Sequence, residues 1–347
     1  MQRLIEKETP LLDKEGRVTP GYSTKEILKY NRENIKANKF RIKEWDFYQI
    51  EDITGRYVIQ MTFGHASYIG TVGVMMFDTT EKRMLVNKQH ITILPMDRMK
   101  LPKVGQKNSH IHWENFKKTI LVDFETKDGV RTLTFSQDDF QAHFVLTPQI
   151  KDGLVISIPF DEKPTQFYYN QKYSAMKAVG VVTYTDKDSK NRVTLSFHEK
   201  KEDMVAYGLL DWGRGVWPYS TEWLWSNGTG TVDDKIFGFN LGCGFGNTSN
   251  ATENIIYYEG KTHKLDQVVI SHEEDYMKPW MIRDNEGRLD LKMIPDYDRT
   301  TVDKFLFVNN CCHQVFGRFE GTVVLDDKRV LQVHDVFAFA EHAKNHW

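Results

Sequence analysis

The alternation of apolar and polar residues with a period of two constrains this 347-residue chain more than any other feature. Residues 193–198 place Val, Leu and Phe on one face and Thr, Ser and His on the other. Residues 120–125 and 132–136 repeat this alternation on either side of Lys127-Asp128-Gly129, which is typical of a β-hairpin. Similar short segments recur along the chain between turn residues, so the pattern predicts antiparallel barrels or sandwiches rather than a parallel sheet.

Helical periodicity is confined to one segment near the N-terminus. Ser23–Asn38 begins with a residue that can cap a helix, and it has Ile27, Leu28 and Ile35 on one side. The segment is too polar for a core helix. We therefore expect an all-β chain with minor α content, in the form of a short helical arm on the surface.

The length of the chain exceeds that of most single cores, so two domains are expected. The strand rhythm breaks at residues 161–176, which divide the chain into halves of similar length. Each half contains about as many strands as a small closed barrel needs. The sequence thus predicts two tandem barrels, an N-terminal domain of residues 1–165 and a C-terminal domain of residues 166–347.

Composition excludes several classes of function. The net charge of -2, with 27% charged residues, provides no basic patch for nucleic acid and no polybasic cluster for anionic membranes. No apolar run is long enough for stable membrane insertion, and the acidic N-terminus lacks the apolar run of a signal peptide. Three cysteines cannot form a disulfide framework. We expect a cytoplasmic protein, and the sequence leaves its oligomeric state open.

The densest cluster of functional side chains lies in residues 211–228. This segment contains four tryptophans together with Asp211, Arg214 and Glu222. Because buried Asp and Arg are almost always paired, we expect an ion pair between Asp211 and Arg214. The segment predicts either a ligand chamber with indole walls and a few polar groups, or an aromatic plug with a structural salt bridge.

A strand at residues 236–245 carries large apolar side chains on one face and mostly glycines, with Asn240, on the other. A face without side chains admits either a ligand or large neighbours such as the tryptophans. No helix or Lys-Ser/Thr follows the glycines, so nucleotide binding is rejected. Glu253 and Asn254 begin the next strand and are expected either to face the same interior as Asn240 or to bond within the loop.

The C-terminal strand carries three further ionisable candidates. Asp335 shares the parity of two phenylalanines and is expected to face inward, with a partner or a raised pKa. Glu341 and His342 form either an acid/base pair or, with Trp347, a tie that fixes the end of the chain.

The sequence predicts neither a metal nor a cofactor. His110 and His112 share one face of a strand, but no third ligand follows at a diagnostic spacing. The adjacent Cys311 and Cys312 lack a redox motif and are interpreted as buried sulfur.

Several blocks of the sequence resemble a bacterial family of unknown function, DUF2804. The blocks are residues 43–48, 211–218, 238–242, 253–254 and 340–342, with Trp347. The family distantly resembles two-barrel, lipocalin-like proteins that include carotenoid hydratases, tocopherol cyclases and fungal pericyclases. This resemblance implies two tandem lipocalin-like barrels, whereas a reaction does not transfer by fold analogy.

Three functions fit these observations. The first is a cofactor-independent hydratase, cyclase or isomerase, in which Asp211 or Glu222 acts as the acid, Arg214 orients one of them and aromatic walls stabilise positive charge. The second is a carrier of a small hydrophobic or lipid-like ligand, and the third is a carbohydrate-active protein with paired carboxylates. The predicted ligand-binding residues are Trp212, Trp217, Trp223, Trp225, Asn240, Glu253, Asn254, Asp335 and Glu341. All of the leading candidates lie in the second half, so the site is predicted there.

Overall fold

The computed structural model describes residues 2–95, 98–198, 204–305 and 308–346, and strands dominate these ranges. The strands of the first half, in chain order, are β1 (Thr9–Pro10), β2 (Gly21–Ser23), β3 (Leu28–Lys29), β4 (Lys43–Asp52), β5 (Tyr57–His65), β6 (Ile69–Asp78), β7 (Arg83–Ile93), β8 (Ser109–Glu114), β9 (Ile120–Lys127), β10 (Val130–Gln137), β11 (Phe140–Pro148), β12 (Leu154–Pro159), β13 (Phe167–Thr185), β14 (Arg192–Phe197) and β15 (Ala206–Val216). They are followed by β16 (Ser220–Val232), β17 (Lys235–Cys243), β18 (Ile255–Tyr258), β19 (Lys261–Lys264), β20 (Val268–Ser271), β21 (Trp280–Asp284), β22 (Leu289–Phe305), β23 (Val308–Val324) and β24 (Val330–His346).

The first sheet has thirteen strands, ten of them in the order β7-β6-β5-β4-β15-β13-β11-β10-β9-β8. The long strand β13 forms its centre and also pairs with β12 and β14. The two end strands approach each other, because Trp113 of β8 packs 6.1 Å from Phe63 and 5.7 Å from His90 of β7, measured between ring centroids. The sheet therefore curls around a single apolar core.

The second sheet has nine strands in the order β19-β18-β17-β16-β24-β23-β22-β21-β20. Its concave side is filled by a core that includes Phe239, Trp280 and Phe319, all fully buried. Two curled antiparallel sheets in tandem confirm the predicted all-β fold. No helix among the described residues is long and apolar enough to cross a membrane.

The predicted hairpin is formed by β9 and β10, which pair antiparallel from Val130 opposite Lys127 to Gln137 opposite Ile120. Its two turn residues, Asp128 and Gly129, both have positive φ angles, of 51° and 83°. A two-residue turn of this type matches the right-handed twist of the strands it joins. The prediction of this hairpin from its turn residues is confirmed.

The predicted helix at Ser23–Asn38 is wrong. The segment contains β3 and a single 3-10 turn, Arg32–Asn34, which Asn31 caps. Leu28 and Ile35 are buried against the first core, and β3 pairs with Thr9–Pro10 in β1. Pairing in a separate two-stranded sheet and burial against the first core thus replace the intrahelical hydrogen bonds that the weak periodicity suggested.

The boundary between the sheets does not coincide with the predicted domain boundary at residues 165 and 166. The first sheet continues to Val216 and the second begins at Ser220. Residues 161–176, interpreted as a connector, contain the start of the central strand β13. This strand is buried on both faces from Phe167 to Met176, so its sequence loses the alternation that marks a half-exposed strand.

The two sheets pack against each other through their outer faces. Aromatic contacts join them at Phe77–Phe316, with ring centroids 4.9 Å apart, and hydrogen bonds join them between polar side chains. Gln60 Nε2 donates to Gln314 Oε1 at 2.6 Å, and Asn227 Nδ2 donates to Ser174 Oγ at 3.0 Å. The interface is therefore a mixed layer of rings and polar groups.

Glu51 of β4 is buried in this layer. Gln49 Nε2 donates to its Oε2 at 3.0 Å, and a backbone hydrogen bond reaches it from Thr229 of the second sheet. Burial raises the pKa of Glu51 to about 8, because the charged form loses its hydration. The protonated form thus stabilises the folded state.

The resulting contribution to stability is fully present below pH ~4.5 and is lost as the pH rises through about 8, because the folded protein binds the proton more tightly than the unfolded chain. Replacing Glu51 by Gln should raise the melting temperature at pH 9 by several degrees and flatten its decline between pH 6 and 9. The exposed Glu162→Gln is the matched control. Calorimetry across this pH range checks the prediction, and an unchanged slope in Glu51→Gln would contradict it.

Candidate functional site

A cavity of about 910 Å³ lies between the two sheets. Its walls come from β4 to β7 and from β13 and β15 of the first sheet, and from β16 and β22 to β24 of the second. The volume is in the range of pockets that enclose small organic molecules. Its aromatic and polar lining side chains include Trp45, Gln60, Tyr168, Lys172, Asp211, Trp217, Trp223, Trp225, Phe245, Glu253, Arg299, Gln314 and Glu341.

The location differs from the expectation that the second half alone would contain the site. The concave side of the second sheet is occupied by its own apolar core. Trp223 and Trp225 point away from that core, because alternate residues of β16 face opposite sides of the sheet, and Leu224 between them contacts the core. The cavity therefore needs both halves of the chain.

A buried lysine lies in the cavity wall. Lys172 of β13 is 3% exposed, and its Nζ lies 3.5 Å from Asp211 Oδ2 and 3.3 Å from Glu253 Oε2. The same ammonium lies 4.0 Å from the centroid of the Trp225 ring, so a cation–π contact adds to the two ion pairs. Asp211 belongs to the first sheet and Glu253 precedes a strand of the second, so Lys172 joins them electrostatically.

Amide side chains hold these carboxylates from behind. Asn170 Nδ2 donates to Asp211 Oδ1, and Asn240 Nδ2 donates to the Glu253 backbone oxygen at 2.6 Å and to its Oε2 at 3.3 Å. Asn240 Oδ1 in turn accepts the indole N–H of Trp225 at 2.8 Å. Asn240 therefore supports the site but does not line the cavity.

The glycine face of β17 accommodates Glu253. A side chain at Gly242 would overlap the Glu253 carboxyl group, and Gly242 pairs directly with Trp225 on β16. Asn254 fixes this approach, because its Oδ1 accepts the Gly242 N–H at 2.7 Å and its Nδ2 donates to the Asp266 backbone oxygen at 2.8 Å. Asn254 is thus a fully buried loop anchor rather than a lining residue.

Glu341 is a further carboxyl group of the cavity wall, in addition to Asp211 and Glu253. Its Oε1 accepts the Trp223 indole N–H at 2.9 Å, and its Oε2 accepts a Gln314 amide N–H at 3.2 Å. Burial raises the pKa of Glu341 above its usual value, opposing the hydrogen bond from Trp223 and the charge of Arg299, which lower it. The 8% exposed fraction of Glu341 faces the cavity, so a protonated Glu341 can donate into it.

The orientation of the Gln314 amide is fixed by its other contacts. Gln314 Oε1 accepts Gln60 Nε2 at 2.6 Å and also Arg299 Nε and Nη2 at 3.2 and 3.0 Å. With three N–H groups directed at its oxygen, Gln314 must present its nitrogen to Glu341. Arg299 and Gln60 therefore determine which group of Gln314 faces Glu341, although neither donates a hydrogen bond to the Glu341 carboxyl group.

Aromatic rings form much of the remaining wall. Trp45 packs edge-on against Trp217 at 5.4 Å and is stacked on Tyr168 at 6.1 Å. Phe245 contacts both Trp217 and Trp223, at 5.6 and 5.2 Å. The cavity wall is thus largely apolar, with several indole rings beside the charged groups Lys172, Asp211, Glu253 and Glu341.

The predicted ion pair between Asp211 and Arg214 is wrong. Arg214 lies on the opposite face of β15, where Nη2 binds Asp46 Oδ1 at 2.8 Å and Nε lies 3.7 Å from Glu44 Oε1. Trp212 lies on the same face, fully buried in the first core, with the Arg214 guanidinium 3.7 Å from its ring centroid. Residues three apart on a strand point to opposite sides, and neither Arg214 nor Trp212 reaches the cavity.

Glu222 is also outside the cavity. Its side chain is 59% exposed, and it binds His342 Nε2 at 2.6 Å on the face of β16 opposite Trp223. The hydrogen bond from His342 lowers the pKa of Glu222, so Glu222 is a poor acid. Glu341 and His342 are adjacent on β24 and therefore face opposite sides, which excludes the suggested acid/base pair.

Asp335 faces solvent, contrary to the prediction that it points inward. Its side chain is 66% exposed, and its nearest cation is Arg318, 3.8 Å away. The register between β23 and β24 shifts between Phe319 and Gly321, and Asp335 has a φ of 54°. A β-bulge thus turns the side chain outward, which alternation does not reveal. Trp347, the predicted chain anchor, lies outside the described residues.

Of the predicted site residues, the cavity brings together Asp211, Trp217, Trp223, Trp225, Glu253 and Glu341. Lys172, Gln314 and Arg299 were not predicted from the sequence. Lys172 lies in residues 161–176, where alternation is lost and a connector was expected, and Arg299 and Gln314 lie on the long strands β22 and β23. Gln314 lies two residues before Phe316 and therefore on the same face of β23. A polar residue on a face that carries a large apolar side chain was the available signal. Trp45 of the first half was noted only as part of a motif.

Removing the buried cation should destabilise the fold. Lys172→Met leaves Asp211 and Glu253 without their counter-ion, and breaking a buried pair costs about 3–5 kcal/mol. Adding Asp211→Asn and Glu253→Gln to the same chain should recover most of this loss. Urea unfolding measures the free energies, with the exposed Lys187→Met as control. A single Lys172→Met variant as stable as the parent would refute the bridging role.

Comparisons with known proteins place this geometry in context. A family model described as a domain of unknown function, DUF2804, matches residues 2–347. No curated protein matches the chain in sequence. This match confirms the family that the sequence predicts. The predicted likeness in fold to hydratase-type proteins is confirmed by similar crystal structures.

Three crystal structures with similar folds illustrate that likeness. CghA has a TM-score of 0.58 and 10% identity, covering 98% of this chain and 96% of CghA. Kievitone hydratase from Nectria haematococca has a TM-score of 0.53 and 12% identity, covering 96% and 98%. An AttH-type protein from Nitrosomonas europaea has a TM-score of 0.52 and 14% identity, covering 91% and 96%. CghA is also known in a structure with Sch210972. At these identities the likeness shows the fold alone.

Proposed function

The chain belongs to the DUF2804 family, and we propose that it binds a largely apolar small molecule between its two sheets and catalyses a proton-initiated reaction on it. The reaction class is hydration, cyclisation or isomerisation without a cofactor. The carrying observation is Glu341, a buried carboxyl group in the cavity wall with a raised pKa. Asp211, the acid expected from the sequence, keeps a different role, as a partner of Lys172.

Glu341 has the features of a general acid. Burial raises the pKa of Glu341 and so favours its protonated form relative to an exposed carboxyl group, and Trp223 and Gln314 already satisfy one acceptor site on each oxygen. In the proposed step the Glu341 proton moves to a carbon or oxygen of the substrate, leaving a carboxylate that both N–H groups stabilise. Addition of water or ring closure quenches the cation, and a proton lost from the product returns to Glu341.

The walls suit a substrate that develops positive charge. The aromatic side chains of Trp217, Trp223 and Tyr168 line the cavity, and aromatic rings stabilise a nearby cation through their π-electron density. Lys172, Asp211 and Glu253 lie on the same side as Glu341, because Lys172 contacts the ring of Trp225, which pairs with Glu341, and they offer both a donor and acceptors to a polar group of the ligand. A lipid-like or terpenoid-like molecule with one polar end fits this distribution.

The comparisons support a small-molecule site in this fold without identifying its ligand. One neighbour is named a hydratase, and another was crystallised with a small molecule, both at identities of 10–12%. The same cavity would serve a carrier without chemistry, and its mostly apolar wall favours that alternative. Turnover separates the two, whereas binding does not.

Binding is tested with N-phenyl-1-naphthylamine, a neutral apolar dye that fluoresces when it is shielded from water. The parent protein should bind it with micromolar affinity. Thr62→Trp, which fills the cavity from β5, should weaken binding roughly tenfold or more. Thr132→Trp, on the outer face of β10, is the matched control. Equal binding by all three proteins would place the apolar site elsewhere. Native mass spectrometry provides a second measurement: a co-purifying molecule that occupies the cavity should be present in the parent and in Thr132→Trp and absent from Thr62→Trp.

Catalysis is tested with Glu341→Gln, which keeps the size of the side chain and removes its acidic proton. Conversion of the co-purifying molecule, or of apolar alkenes offered as a panel, is followed by liquid chromatography and mass spectrometry for water addition or isomer formation. Turnover should fall about 10²–10⁴-fold while dye binding persists. Glu222→Gln, on the same β16–β24 pair but outside the cavity, should leave turnover unchanged. Full activity in Glu341→Gln would exclude Glu341 as the acid, and binding without turnover in the parent would favour a carrier.

A further inference from the structure

The edge of the first sheet carries two exposed histidines on its outer face. His110 and His112 alternate along β8 with Ile111 and Trp113, which are buried in the first core. The His110 and His112 side chains are 52% and 56% exposed, and their ring centroids are 6.0 Å apart. Two imidazoles on one side of a strand supply two metal-ligand positions.

The neighbouring strand supplies a third ligand that sequence spacing does not reveal. Asp123 of β9 pairs directly with His112 in the ladder, eleven residues along the chain. Its Oδ2 lies 2.6 Å from His112 Nδ1 and 3.2 Å from His110 Nε2, and the three potential ligand atoms lie within 4.8 Å of one another. Hairpin register, rather than a motif, thus completes the set.

The charge at this surface suits a cation. The hydrogen bonds from His112 and His110 lower the pKa of Asp123, although its partial burial acts in the opposite direction. Glu125, which pairs with His110 and shares the outer face with Asp123, brings a second carboxylate close by. Two carboxylates thus lie beside the two imidazoles on the outer face of the β8–β9 hairpin.

We propose that His110, His112 and Asp123 form a binding site for a divalent transition-metal ion of the zinc class. Bonds of about 2.0–2.2 Å from such an ion place neighbouring ligand atoms roughly 3.3 Å apart in a tetrahedral site. The distance of 3.2 Å between Asp123 Oδ2 and His110 Nε2 already has this size. Rotation of the exposed His112 ring lengthens the distance of 2.6 Å between Asp123 Oδ2 and His112 Nδ1. Three protein ligands leave a position for water, and the ion would fasten the edge strand β8 to β9.

The test uses untagged protein treated with a chelator and then titrated with Zn²⁺ alone by isothermal calorimetry at pH 7.5. One ion per chain should bind, and the melting temperature should rise with Zn²⁺ concentration, since an ion that binds the folded state stabilises it. His110→Ala, His112→Ala and Asp123→Asn should each weaken binding by roughly tenfold or more. His334→Ala, which removes another exposed histidine, should have no effect.

Proton competition provides an independent readout, because imidazole must be neutral to bind the ion. Affinity should therefore fall steeply between pH 7.5 and 5.5. Binding that is unchanged in His110→Ala and His112→Ala, or equally weakened in His334→Ala, would overturn the proposal as non-specific surface binding. The proposal would also be overturned if the folded parent protein showed neither heat of binding nor a shift in Tm on addition of Zn²⁺.

Discussion

The 2.6 Å hydrogen bond from Gln60 of the first sheet to Gln314 of the second lies at the middle of a polar chain that crosses the protein. Gln60 also donates to Gln49, which donates to Glu51, while Gln314 donates to Glu341. Amide groups buried between two sheets cost free energy unless they are paired, so the chain fixes the relative position of both sheets. A displacement of one sheet along the other would separate these donors from their acceptors and leave buried polar groups unpaired.

The cavity depends on the same constraint. Two apolar outer faces would collapse onto each other, whereas Lys172, Asp211 and Glu253 must remain at distances that suit ion pairs. The large rings of Trp217 and Trp223 are fixed by edge-on contacts with Tyr168 and Phe245, so these four rings form a packed aromatic wall. Ion pairs of this kind add little net stability compared with a hydrophobic replacement, so their presence points to a requirement for a defined interior.

Sequence reasoning predicted the fold well because alternation is a local property, visible one strand at a time. It also located the indoles, and Trp217, Trp223 and Trp225 do line the cavity. The predicted ion pair between Asp211 and Arg214 was wrong, although the sequence itself shows that residues three apart on a strand face opposite sides. Asp335 was different, since the bulge that exposes it arises from pairing with a distant strand. Lys172 could not be identified because its two counter-ions are joined to it only by the tertiary structure.

Glu51 and Glu341 show why a raised pKa does not by itself identify an active site. Both carboxyl groups lie on the polar chain between the sheets, and burial is the largest cause of the shift in each. They differ in what their oxygens can reach. Glu51 is enclosed by Gln49 and the backbone of Thr229, so its proton affects stability alone, whereas Glu341 lies in the cavity wall beside Trp223 and Trp225. Access to a space of molecular size, rather than the pKa, is what makes Glu341 the candidate acid.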